Sequence, residues 1–250
     1  MSTEQMFVEI NGETLLLDCS GAAWWPAERT LIMADVHFEK GSSFAKRGAL
    51  LPPYDTRTTL NRIEALMRAY VPARVVALGD SFHDNEAPSR LDDAEKNILA
   101  RQVARTDWIW IEGNHDPHPP GWLGGFITAE LAIGGLIFRH EPRSEPQAGE
   151  IAGHLHPCAT VTRHGRSLRR RCFAGDATRM VLPAFGAYAG GLDIDDDAIA
   201  ALFCADFAAY MLGGRRVYAV AGRGKPQLAR RNTTDESQPS MAAIRTAESP

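Results

Sequence analysis

Five short apolar runs in this 250-residue chain each stop at a block of polar, chemically competent residues. Thr30 to Ala34 ends at Asp35-Val36-His37, and Arg74 to Leu78 ends at Gly79-Asp80. Trp108 to Ile111 leads into Gly113-Asn114-His115-Asp116. Leu136 to Phe138 leads into Arg139-His140-Glu141, and Glu150 to Ala152 into Gly153-His154-Leu155-His156. Runs this short have strand length, and unbroken apolarity marks strands buried on both faces. In open α/β sheets ligands bind outside the carboxyl ends of the strands, so side chains far apart in sequence can meet in one crevice there.

Between the first three runs the pattern is helical. Leu60, Ile63, Leu66, Met67 and Tyr70 recur at helical spacing over Asp55 to Tyr70. Leu91, Ala94, Ile98 and Leu99 do the same behind a capping box read from Ser89 and Asp92. Strand, helix, strand, helix, strand predicts a parallel α/β core. Ahead of it, Phe7 to Ile10, Asn11-Gly12 and Glu13 to Leu17 read as a hairpin. Residues 39–53, with Gly41, Gly48, Pro52 and Pro53, read as a long loop. In the second half, Ala159 to Arg163, Leu168 to Phe173, Met180 to Phe185 and Val217 to Val220 read as further strands, with a helix at about Ala198 to Met211. This predicts a second sheet, richer in antiparallel pairs, packed on the first. Apolar periodicity is lost from about Arg223, so the expected organisation is one domain over 1–222 and a disordered tail over 223–250.

A composition of 44% hydrophobic and 23% charged residues excludes a wholly disordered chain. No apolar stretch approaches the roughly 18 residues a membrane helix needs. The start, MSTEQMFVEI, lacks the basic and apolar segments of a signal peptide, which places the chain in the cytoplasm. Cys19, Cys158, Cys172 and Cys204 lie far apart without a CxxC pair, against a cysteine-based zinc site or a disulfide framework. The net charge of −4 gives no global signature for nucleic acid, but carboxylates that hold cations count as negative in such a sum.

The residue types in the five blocks suit divalent cations. Carboxylate, imidazole and amide oxygen without thiolate fit Mn²⁺, Fe²⁺ or Zn²⁺. Asp35 and His37, like His154 and His156, stand two residues apart and share a face of an extended segment. Asp35, His37, Asp80, Asn114, His140, His154 and His156 are too many ligands for one ion and enough for two that share a carboxylate.

The ordered set D-x-H, G-D, G-N-H-D, H and G-H-x-H, over roughly residues 30–160, resembles the calcineurin-like metallophosphoesterase superfamily. A narrower likeness rests on Phe38, Lys40, Gly41, Arg47 and Gly48, and on Leu182-Pro183-Ala184-Phe185-Gly186 with Gly190-Gly191-Leu192. These are similar to the DNA-ligase-associated branch, bacterial proteins described as manganese-dependent endonucleases of the DNA damage response. The resemblance implies an α/β fold with a two-sheet mixed β-sandwich flanked by helices. It also implies two divalent ions, Mn²⁺ foremost with Fe²⁺ or Zn²⁺ open. Asp35, His37, Asp80 and His156 would hold one ion, and Asp80, Asn114, His140 and His154 the other. His115, held by Asp116, is then the unligated catalytic residue, and a hydroxide bridging the ions is the nucleophile. At the second block the run Asp80-Ser81-Phe82-His83-Asp84 leaves His83 and Asp84 both open as the assisting residue.

Lys40, Lys46 and Arg47, in the loop after the first block, are candidate phosphate contacts, as are His83 near the site and Arg139 and Arg143 beside His140. Arg166, Arg169, Arg170 and Arg171 form a basic strand read as a solvated face, with contact to a DNA backbone as the alternative. The implied substrate is DNA with single-stranded character, with DNA ligase or other repair proteins as partners by family association and a homo-oligomer left open. The competing reading within the same chemistry is a phosphodiesterase or pyrophosphatase of a small nucleotide or lipid-linked diphosphate. A non-catalytic protein-binding scaffold is the competitor from another class, and the complete ligand set argues against it.

Overall fold

In the computed structural model, which describes residues 5–116 and 118–222, two β-sheets lie face to face with helices outside them. β1 (Met6–Ile10) and β2 (Glu13–Leu17) form the expected hairpin. Asn11 and Gly12 both take positive φ there, the conformation a two-residue turn between twisted strands demands. β3 (Ala23–Trp25), β4 (Thr30–Ala34), β5 (Arg74–Leu78), β6 (Asp107–Ile111) and β7 (Phe126–Thr128) complete a seven-stranded sheet in chain order. It is antiparallel from β1 to β4 and parallel from β4 to β7. α1 (Lys40–Lys46) and α2 (Asp55–Tyr70) connect β4 to β5, and α3 (Ala87–Arg90) and α4 (Asp93–Val103) connect β5 to β6.

The second sheet takes the rest of the described chain. β8 (Glu130–Ile133), β9 (Leu136–Arg139), β10 (Glu150–Ala152), β11 (Cys158–Arg163), β12 (Arg166–Gly175), β13 (Arg179–Val181), β14 (Phe207–Leu212) and β15 (Val217–Gly222) make it up. Its spatial order is β8-β9-β10-β13-β12-β14-β15, with β11 paired to β12 alone. A short helix, α5 (Asp197–Ala200), precedes β14.

Alternation along each strand divides the core. Leu31, Met33, Val75, Ala77, Trp108 and Trp110 turn outward to Leu60, Ile63, Met67, Leu99 and Val103 of α2 and α4. The intervening Ile32, Ala34, Val76, Leu78, Ile109 and Ile111 turn to the second sheet and meet Phe138, Ile151, Phe173 and Met180. Burial on both faces is why these strands read as unbroken apolar runs.

Several expectations are corrected. Residues 39–53 are not all loop: α1 forms because its first amides find partners at the start of α2, Gly41 N–H donating to Asp55 Oδ2 at 2.8 Å and Glu39 N–H to Thr56 Oγ1 at 2.9 Å. The second connecting helix is capped by Asp92, whose side chain accepts from Glu95 N at 2.6 Å, while Ser89 lies in α3. The helix expected over Ala198 to Met211 is limited to α5; residues 201–206 are turn and loop, and from Phe207 the chain is strand β14. Phe207, Ala209 and Met211 pack on Ile199, Leu202 and Phe203, while Tyr210 and Leu212 face the inter-sheet core, a period of two. β13 stops at Val181, since Pro183 has no N–H for a ladder. The expected tail over 223–250 lies outside the described residues. Among the described residues no helix is long and apolar enough to cross a membrane.

Candidate metal centre

Loops at the carboxyl ends of β4, β5, β6, β9 and β10 bring the five blocks together. Asp35 and Asp80 are buried, 0% and 2% exposed, and the imidazoles of His37 and His140 are nearly so. Asp35, Asp80, His37, His154 and His156 all hold positive φ, between 46° and 69°. For residues with a Cβ this is strained backbone, kept only where the surroundings fix it, and it gathers at functional sites.

The donor atoms form two groups that share Asp35. Asp35, His37 and His156 make one, with His156 Nε2 at 3.2 Å from Asp35 Oδ1 and at 3.3 Å from His37 Nε2. Asp35, Asp80 and His140 make the other, with His140 Nε2 at 3.4 Å from Asp80 Oδ1. Asn114 Oδ1 lies 2.8 Å from His140 Nε2 and 3.0 Å from His154 Nδ1. All seven expected ligands are therefore gathered at one place.

The arrangement fits cations. His140 Nδ1 lies 3.0 Å from the carbonyl of Leu78, which only accepts, so Nδ1 carries the proton and Nε2 presents a lone pair. That lone pair points at the Asn114 oxygen, another acceptor. Asp35 Oδ1 is buried without a hydrogen-bond partner, while Oδ2 accepts from His154 N–H at 2.9 Å. Burial, followed by Lys40 and the neighbouring imidazoles, holds the His37 pKa far below the usual histidine range. Burial and then His140 lower that of His154. Neutral imidazoles, a carboxylate oxygen left bare and an amide oxygen aimed at a nitrogen lone pair are what divalent ions require of their ligands.

His115 stands at the rim, its side chain 42% exposed, with Nε2 at 3.8 Å from Asp80 Oδ2. Its Nδ1 donates to the carbonyl of His83 at 2.8 Å, and its own N–H donates to Asp80 Oδ1 at 2.9 Å. The expected support from Asp116 is corrected: Asp116 Oδ2 accepts from Phe82 N–H at 2.9 Å, so it braces the loop after β5. Burial raises the Asp116 pKa to about 8, partly opposed by the surrounding amides.

Of the two open candidates at the second block, His83 faces the cluster. Its ring stacks on those of His115 and Phe44, and Nδ1 lies 3.4 Å from His37 Nδ1. Burial, then Lys40, pushes its pKa down to about 4. Asp84 turns away into a two-bond pair with Arg90 at 2.8 Å, and those bonds hold its carboxyl well below the usual range. Lys40 is half-buried beside Asp35 and Asp80, and Arg47 is exposed at the end of α1. Arg139 is withdrawn as a phosphate contact. Its guanidinium is bound by Glu130, Glu150 and Gln147 on the outer face of the second sheet. Arg143 joins the same network through Glu130.

The two glycine-bearing motifs near the end of the domain abut the ligand loops. Gly186 N–H donates to Asp35 O at 3.1 Å, and a Cβ there would come within 2.1 Å of Val36 O. A Cβ on Gly191 would come within 1.8 Å of His156 O. Only glycine permits such approach, so these segments clamp the loops that carry Asp35, His37 and His156.

No protein-family model matches the sequence, and no curated protein does. Among solved structures, the crystal structure of Pseudomonas putida nuclease MPE is similar with a TM-score of 0.69 and 30% identity, over 87% of this chain and all of that one. YfcE, a phosphoesterase from E. coli, aligns at 16% identity and a TM-score of 0.40, over 78% of this chain and 99% of that one. The chain belongs to the calcineurin-like metallophosphoesterases. Within them it is most like the DNA-ligase-associated branch.

Proposed function

We propose that this chain is a dinuclear metal-dependent phosphodiesterase, a manganese-dependent endonuclease that cuts DNA of single-stranded character during repair in the cytoplasm. The observation that carries the reading is the convergence of Asn114 Oδ1, His140 Nε2 and His154 Nδ1 within 3.2 Å of one another beside two buried carboxylates. The similarity to a nuclease supports a polynucleotide substrate. Asp35, His37, Asp80 and His156 would hold one ion, and Asp80, Asn114, His140 and His154 the second. Divalent ions held there supply positive charge to the phosphate oxygens and a nucleophilic water at neutral pH.

The protein's own groups do the rest. With Nδ1–H committed to the His83 carbonyl, His115 presents Nε2 toward the cluster, and in its imidazolium form the second proton, on Nε2, passes to the departing ester oxygen and leaves the neutral ring. The exposed edge of its ring allows a chain longer than one diester to lie across the site. Lys40 and Arg47 hold phosphate on the α1 side. DNA ligase and other repair proteins are the partners the branch suggests.

The test is cleavage of circular single-stranded DNA by purified protein with Mn²⁺, beside His115→Ala and a chromogenic phosphodiester. A circle has no ends, so its cutting by the wild type and not by the variant establishes the endonuclease. Hydrolysis of the chromogenic diester with intact circles would instead mark a small substrate. Inertness toward both, with metals bound, would leave a scaffold.

A further inference from the structure

β12 runs antiparallel to β13, and β13 runs parallel to β10. Its first half therefore leaves the second sheet at the end where β10 delivers His154 and His156. Cys172 to Gly175 pair with β14, but Arg166 to Arg171 pair only with β11, which begins two residues after His156. The result is a hairpin arm about 20 Å long, at roughly 3.3 Å per residue, rooted beside the metal centre.

The charge on this arm is out of keeping with the chain. From Cys158 to Gly175 there are five arginines and no carboxylate, in a protein with net charge −4. Arg171 turns inward to the carbonyls of Ala184 and Gly186, and Arg169 to Gly191 O and the Asp193 carboxylate. Arg163, Arg166 and Arg170 stay exposed, and the register places all three on one face with Val161 and Leu168. Val161 is 39% and Leu168 48% exposed. Between this face and β14–β15 lies a groove of about 520 Å³, to which Val161, Leu168, Arg170 and Tyr218 contribute. Arg170 lines this otherwise apolar groove, Arg216 lies over the Tyr218 ring at 4.6 Å, and Arg163 and Arg166 continue the same face of the arm beyond it.

We propose that this arm holds an unpaired polynucleotide strand leading to the metal centre, with phosphates on Arg163, Arg166 and Arg170 and bases against Leu168 and Tyr218. The inference rests on the nuclease reading and adds where the strand lies. A single strand offers phosphate charge and flat apolar base faces in turn, and cationic grooves with stacking side chains are what bind it. A duplex keeps its base faces stacked away from such a floor. A lone diester has no length with which to reach the arm.

The experiment measures fluorescence anisotropy of a labelled oligothymidylate of about 20 nucleotides, long enough to span several contacts, in EDTA so that no cutting occurs. The wild type is titrated across a salt series beside the triple variant R163Q/R166Q/R170Q and the charge-keeping R163K/R166K/R170K. Three lost phosphate contacts should weaken binding about tenfold or more and flatten the plot of log affinity against log salt by about 2. The lysine variant should keep the wild-type slope. Turnover of the chromogenic diester with Mn²⁺ reports an intact centre in each protein. Wild-type affinity and slope in the glutamine variant would overturn the arm and leave the nuclease reading standing. A wild type that hydrolyses the diester but does not bind the strand would overturn both. Should the glutamine variant lose diester turnover, the lysine variant decides, and a flattened slope there would overturn the arm.

Discussion

His115 owes its orientation to a main-chain carbonyl, and no residue type announces that in a sequence. The proton on Nδ1 is fixed by His83 O, which leaves Nε2 to face the cluster. Replacing His115 by Ala should lower turnover by about 10²–10⁴-fold, the usual contribution of a positioned acid. Elemental analysis should still find both ions, because the substitution removes none of the candidate ligands; an emptied site would make His115 a ligand instead. The convergence of the seven candidate ligands was legible, since carboxylate, imidazole and amide after apolar runs are a chemical statement by residue type. Arg139 shows the opposite case. It adjoins His140 in sequence, but Phe138 faces the inter-sheet core, so the alternation of the strand sends Arg139 to the outer face and into the Glu130–Glu150 ion pairs. The positive φ at five ligands was not legible either, since strain of about 1–3 kcal/mol per residue is set by surroundings distant in sequence.

At the scale of elements, the parallel core strands and their helices were readable because burial on two faces writes a continuous apolar run. Boundaries and short pieces were not. β3, β7 and β8 have three or four residues each, too few to show a period. Over 198–212 the sequence is apolar enough to satisfy either periodicity, and the pairing of β14 between β12 and β15 settles Phe207–Leu212 as strand. The α4 cap offers a direct check on the same problem. Asp92→Ala removes the acceptor of the Glu95 amide and should cost about 1 kcal/mol in urea unfolding. Ser89→Ala, in α3 with its hydroxyl bonded to Glu86 O, should cost less. Equal losses would mean that both residues cap the helix.

On the scale of the whole molecule, the ligands are divided between the sheets. Asp35, His37, Asp80 and Asn114 follow strands of the first, and His140, His154 and His156 follow strands of the second. Ions bound across that seam would join the two layers of the sandwich. Free Mn²⁺ at a hundred times its dissociation constant should add about 2.7 kcal/mol per site. For a domain of this size that is about 5–10 °C in the melting temperature for each site. Thermal melts with Mn²⁺ and with chelator measure it, and an unchanged midpoint would show that no ion spans the layers. The division also follows the direction of synthesis. Residues 6–128 contain every strand of the first sheet, and the second sheet begins only at Glu130. During translation the amino-terminal half emerges first with its carboxylates in hand but without the last three imidazoles. The candidate metal centre is thereby incomplete until the nascent chain has passed His156.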